Sequence, residues 1–185
     1  MSSSHAAVRA KLLAKRTTLP QADDVDNILR YIFNRNEKAV IRTIVKGFEL
    51  ADINHYLTLW RCVKGLAKVD SLAMTNVIGT EVDLQNIVWM YRLKRFYNIS
   101  GDATYGFLIP VQHRLPKETL DTLVTIKSAD AMQAVLDKTI YHNVFGDFSH
   151  AEKKLRTAVT AKYKKESRNS HIALICGFLY ERQHV

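Results

Sequence analysis

Two segments 31 residues apart in this 185-residue chain carry the same helical pattern. Asp52–Arg61 and Asp83–Arg92 each open on an aspartate and reach an arginine nine residues later. Their apolar positions align one for one: Ile53 with Leu84, Tyr56 with Ile87, Leu57 with Val88, Trp60 with Tyr91. The spacing i, i+3, i+4, i+7 is that of a helix with one buried face. In each copy the aspartate suits the positive end of the helix dipole, and the arginine lies towards the negative end. A duplicated helical unit predicts a scaffold of repeated modules rather than an enzyme built around one cleft.

Only 7 Gly and 3 Pro interrupt the chain, and its apolar runs follow a 3.6-residue period, so the predicted fold class is all-α, a bundle of short helices. After a flexible tail at 1–5, helices are expected at 6–16 and, past a break at Thr18-Leu-Pro20, from Asp23 through Phe33. Asn34–Asn36 reads as a turn, and Gly47 closes a helix carrying Val40, Ile41, Ile44 and Val45. The duplicated helices are expected at 52–64 and 83–98, separated by a short helix at 70–77 that ends before Gly79. Residues 99–116 form a linker; Pro116 with Glu118 opens a helix to about 126, and further helices are expected at 129–138, 150–165 and 170–182. Two lobes are predicted, 1–110 with the duplicated units and 111–185.

The segment Ile78-Gly-Thr-Glu-Val-Asp-Leu-Gln-Asn-Ile-Val-Trp-Met-Tyr-Arg-Leu-Lys-Arg-Phe-Tyr97 resembles the core motif of the C-type stalk component of V-type and A-type rotary ATPases, the d-type component in eukaryotes. In that family an acidic residue precedes a D-L-x-N-I-x-x-x-Y-R-x-K-x-x-Y helix. Leu108-Ile-Pro110 with Arg114-Leu115 is similar to the family's I-P…R-L linker, Lys127–Tyr141 to its A-K-S-x-E-E…T-x-Y stretch, and Ser170–Tyr180 to its S-I-A-x-x-x-x-Y-L-Y helix. The resemblance spans about 40–185. Family members are commonly longer, so it implies an abbreviated amino-terminal part and a second lobe truncated at Val185.

The resemblance implies a non-catalytic socket between the rotating central stalk and the membrane proteolipid ring, coupling ATP turnover to proton or sodium transport. The implied partners are the proteins of the central stalk and the ring. The implied location is the cytoplasmic face of a membrane, held there only through the ring. No small-molecule substrate, cofactor or metal is expected.

The residues themselves agree with a chain lacking chemistry of its own. Neither G-x-x-x-x-G-K-[ST] nor G-x-G-x-x-G nor G-x-S-x-G occurs. Cys62 and Cys176 have no metal-ligand spacing and fall in apolar helix faces; they read as buried thiols, with a disulfide between them left open. The nine-residue apolar run Ile172–Tyr180 is far below the roughly 20 residues a spanning helix needs. His142, Asp147 and His150 match no zinc pattern and read as a surface loop. Glu81 and Asp83 read as dipole complements in a first helical turn.

A formal charge of +9 favours an acidic partner surface, anionic lipid or nucleic acid. The basic stretch that includes Lys153, Lys154, Lys164 and Lys165 reads first as a solvated face, second as a contact for acidic stalk surface or lipid, third as a nucleic-acid site. Tyr163 is its sole aromatic, whereas single-strand binders interleave several. Arg92, Lys94 and Arg95 divide between helix-end electrostatics and a polar rim for a partner. Trp89 falls off the duplicated stripe and is the aromatic assigned to a partner contact. The rival functions are a basic all-helical nucleic-acid-binding module and a degenerate stand-alone scaffold.

Overall fold

The computed structural model describes residues 33–47 and 52–183. The expected tail at 1–5, the helix at 6–16, the Thr18–Pro20 break and all but the last residue of the helix from Asp23 lie outside that range. The described residues are all-α, with no strand among them. The elements are α1 (Arg35–Gly47), α2 (Ile53–Lys64), α3 (Lys68–Tyr97), a 3-10 helix (Gly101–Phe107), α4 (Lys117–Thr125), α5 (Met132–Leu136), α6 (His142–Phe145), α7 (Ala151–Glu166) and α8 (His171–Gln183).

The chain forms two compact units, and they are not consecutive halves. One joins the described residues up to Thr75 with those from Tyr163 onward; the other is Asn76–Lys162. In the first unit α1 packs against α2 and α8. Val40, Ile41 and Ile44 from α1, Tyr56, Leu59 and Val63 from α2, and Ile172, Ile175, Cys176 and Leu179 from α8 are buried. Both cysteines are free thiols. Gly177 keeps α8 close to Tyr163, because a Cβ there would lie 2.8 Å from the tyrosine Cβ.

Local signals in the sequence set the helix ends. Asn34, at the expected turn, caps α1: its Oδ1 accepts from the Glu37 N–H at 3.0 Å, and Glu37 Oε2 accepts from the Asn34 N–H at 2.9 Å. This reciprocal pair satisfies two backbone donors that a helix start would otherwise leave open. Asp52 caps α2 by accepting from the His55 N–H at 2.7 Å, and Gly65 terminates it with its N–H on the carbonyls of Cys62 and Val63.

The expected break at Gly79 does not exist. The segments at 70–77 and 83–98 are parts of one 30-residue helix, α3. Gly79 lies inside it, and a Cβ at that position would overlap the His113 ring. The glycine makes room for the linker side chain rather than ending a helix.

The duplicated segments also occupy unlike settings. Asp52 is an exposed cap, whereas Asp83 lies mid-helix and is buried. Tyr56 and Leu59 share burial with their counterparts Ile87 and Met90, but Ile53 and Leu57 stay half-exposed where Leu84 and Val88 are sealed. The shared spacing marks one amphipathic helix, α2, and a stretch of α3 in which no residue from Asp83 to Tyr91 is exposed; the packing around them is not repeated.

Candidate functional site

Three of the motifs described above meet inside the second unit. Asp83, Asn86 and Lys94 lie on one stripe of α3, at spacings close to whole helical turns, and all three are buried. Asp83 Oδ2 accepts from the N–H groups of Arg114 and Leu115 at 2.8 and 3.0 Å and from the Tyr141 hydroxyl at 2.7 Å. Asn86 donates to the Ile109 carbonyl at 3.0 Å and accepts from the Ile109 N–H at 2.9 Å. The linker 108–115 has no regular structure of its own to pair these groups, so α3 supplies the partners. Burial raises the pKa of Asp83, against the opposing effect of the Tyr141 hydroxyl and the two N–H donors. It pushes the Tyr141 phenol up as well, helped by the carboxylate it touches.

The structure corrects the reading of Lys94 as a surface cation beside Arg92 and Arg95. Its Nζ donates to the carbonyls of Val124 and Ile126 at 2.8 and 2.7 Å. These lie at the end of α4, where helix carbonyls lack intrahelical partners and the dipole favours a cation. Burial lowers its pKa. The long aliphatic stem reaches inward and the ammonium closes α4; no surface is left for a partner.

The other candidates scatter. Trp89 is half-buried on α3, and Arg92 is exposed and paired with Glu152 of α7. Arg95 is exposed. Lys153 is exposed, while Lys154 holds the preceding loop through the Phe145 carbonyl and Asp147, 2.5 and 2.8 Å away. That contact, with the Ser149 hydroxyl and N–H, holds the Asp147 carboxyl well below its usual range. His142 Nδ1 lies 3.0 Å from the Thr139 carbonyl. Lys164 and Lys165 belong to the first unit, where Lys164 pairs with Glu181 at 2.9 Å and Lys165 is exposed. Among the described residues, the group able to hold a metal ion is Glu37, Asp70 and His171, in the first unit.

A surface that sequence reasoning did not find follows Lys94. With that residue turned inward, the last turn of α3 faces Phe96 and Tyr97 to solvent, each 70% exposed. The 3-10 helix just beyond adds Tyr105 and Phe107, 40% and 49% exposed. Tyr105 donates to Asp121 at 2.5 Å, which pushes its pKa up to about 12. Single exposed apolar residues are ordinary; four exposed aromatic rings between positions 96 and 107, following the exposed Arg92 and Arg95 in the sequence, have the composition of interface centres. Nearby, Tyr91 stacks on Phe148 with ring centroids 4.4 Å apart, and Phe148 stacks on Phe145 at 5.0 Å, which fixes this stretch of α3 against the loop before α7.

The family model for the ATP synthase (C/AC39) subunit matches residues 49–184. The chain belongs to that family. It is therefore one of the V/A-type ATP synthase proteins, and the inward motif residues Asp83, Asn86 and Lys94 are part of what the match covers. No curated protein and no solved structure matched the chain. Among the described residues, no helix of this ATP synthase protein is long and apolar enough to cross a membrane.

Proposed function

We propose that this protein is the socket between the central rotor stalk and the membrane proteolipid ring, transmitting torque without chemistry of its own. The observation that carries the reading is the family match along residues 49–184. The α3 clamp supports it: Asp83, Asn86 and Lys94 tie one helix to the linker, to Tyr141 and to the end of α4. A part that passes on strain needs such fixed internal contacts, since close-packed interiors deform little. The aromatic and cationic end of α3 is the contact surface for that role, with Trp89, Arg92 and Arg95 beside Phe96, Tyr97, Tyr105 and Phe107. The exposed cations Lys153, in the second unit, and Lys165, in the first, serve as steering charge, affecting association rate more than affinity. Assembly on the cytoplasmic face, through the ring, follows from the same reading.

The test is affinity capture of the tagged chain from solubilised membranes of its source. Stalk proteins and proteolipid should be recovered together, and a Phe96→Ser/Tyr97→Ser variant should lose at least one of them. Recovery of neither by the unaltered chain sinks the socket reading. Nucleic acid bound with a steep salt dependence would put the basic module in its place.

A further inference from the structure

His171 opens α8 with its imidazole set between carboxylates from two other helices. Its Nε2 is 3.2 Å from Glu37 Oε1 on α1, and its Nδ1 is 3.6 Å from Asp70 Oδ2 on α3. Glu37 and Asp70 are 8% and 7% exposed, among the few buried charged residues of the described chain. All three belong to one compact unit.

The two carboxylates are held in place by donors outside the cluster. Glu37 Oε2 accepts from the Asn34 N–H at 2.9 Å, and Asp70 Oδ1 accepts from the Ser170 hydroxyl at 2.6 Å. Ser170 is fixed in turn, its Oγ accepting from the Ala173 N–H at 3.1 Å. Each acid thus has one oxygen engaged elsewhere and the other facing the ring. The Phe33 ring lies nearly parallel to the imidazole, 14° from its plane with centroids 6.3 Å apart, and limits how the imidazole turns. Hydrogen-bonded carboxylates around a histidine of set orientation are the supporting shell that metal ligands require.

Charge favours an ion. A divalent cation with a neutral imidazole balances the charge of the two buried carboxylates. Distance allows it. The ligand atoms lie within 4.8 Å of one another, and ligands around a tetrahedral zinc-sized ion stand about 3.3–3.5 Å apart, so binding draws them inward by up to about 1.5 Å. One nitrogen and two carboxylate oxygens suit zinc-class ions, with water in a fourth position.

The geometry points to a divalent-cation site of the zinc class formed by Glu37, Asp70 and His171, joining α1, α3 and α8 within the first unit. It stands independently of the socket reading. The ion acts as a structural pin: it binds the folded unit and not the unfolded chain, and so stabilises the fold by mass action.

The experiment uses the full chain, stripped by a chelator and titrated with cobalt(II) and then zinc(II). One equivalent of cobalt should give visible absorption typical of nitrogen and oxygen ligands, zinc should displace it, and zinc should raise the thermal midpoint. His171→Gln and Asp70→Asn should each weaken binding at least about tenfold. A His142→Gln/His150→Gln variant, at two exposed positions of the second unit, should bind as the unaltered chain does. Asp70→Asn keeps an oxygen for the Ser170 hydroxyl, so it tests the site should His171→Gln fail to fold. Absence of cobalt absorption in the unaltered chain overturns the assignment. So does equal binding by Asp70→Asn, or a thiolate charge-transfer band, which would place the ion on a cysteine.

Discussion

Single residues carry most of what this chain asks of its sequence. Gly79 fits both a helix stop and a close contact, and only its neighbour decides; the side chain of His113 fills the space where a Cβ would stand. Gly79→Ala should destabilise the protein by about 1–3 kcal/mol in urea denaturation, with most of the loss removed when His113→Ala is present in the same chain. His113 also predicts a pH response. Burial lowers its pKa below 6.5, and its buried Nε2 has no hydrogen-bond partner among the described residues, so the fold favours the neutral ring. The unfolded chain then takes up the proton first as the pH falls, and the stability due to the neutral ring, fully present above about pH 6.5, is lost below it. Asp83 acts in the opposite sense. Its raised pKa means that the folded chain protonates first, so its contribution is present below about pH 3.8 and lost as the pH rises through the folded value. The contribution of His113 should therefore appear as a fall in thermal midpoint from about pH 7.5 to 5.5 in the unaltered chain relative to His113→Gln.

At the scale of the element, helix ends are legible wherever the signal is local. Asn34 with Glu37, Asp52, Gly65 and Pro116 mark helix boundaries through contacts within a few residues, and α1, α2, α4, α7 and α8 lie close to their expected spans. The middle of α3 is not legible, because its glycine and aspartate answer to residues about 30 positions away. The two aspartates of the apparent duplicate separate the cases experimentally. Asp52→Ala removes an exposed cap and should cost about 1 kcal/mol. Asp83→Ala leaves two backbone N–H groups and a phenol without their acceptor and should cost roughly 2–4 kcal/mol. Equal losses in chemical denaturation would restore the equivalence that the sequence suggests. Lys94→Met, which keeps the stem and removes the ammonium from two carbonyls, should cost about 2–3 kcal/mol, while Arg95→Met should stay within about 0.5 kcal/mol.

For the whole molecule, family and fold class can be read from the sequence, whereas the candidate surface cannot. Aromatic residues at helical spacing are usually core, and nothing in the order Arg95-Phe96-Tyr97 says which way the last turn of α3 faces. That direction is set by Lys94, whose inward course depends on carbonyls at 124 and 126. The surface therefore depends on a buried contact about 30 positions along the chain. Phe96→Ser with Tyr97→Ser should leave the denaturation midpoint nearly unchanged yet abolish capture of stalk or ring. A large stability loss would move both rings into the core.

The family motif spends its aspartate, asparagine and lysine on the chain that carries them. A relative sharing those letters would inherit the same internal brace with its outer faces uncommitted. One scaffold can then carry different outer faces by changing Trp89, Arg95 or Phe96, which stand at positions the motif leaves open.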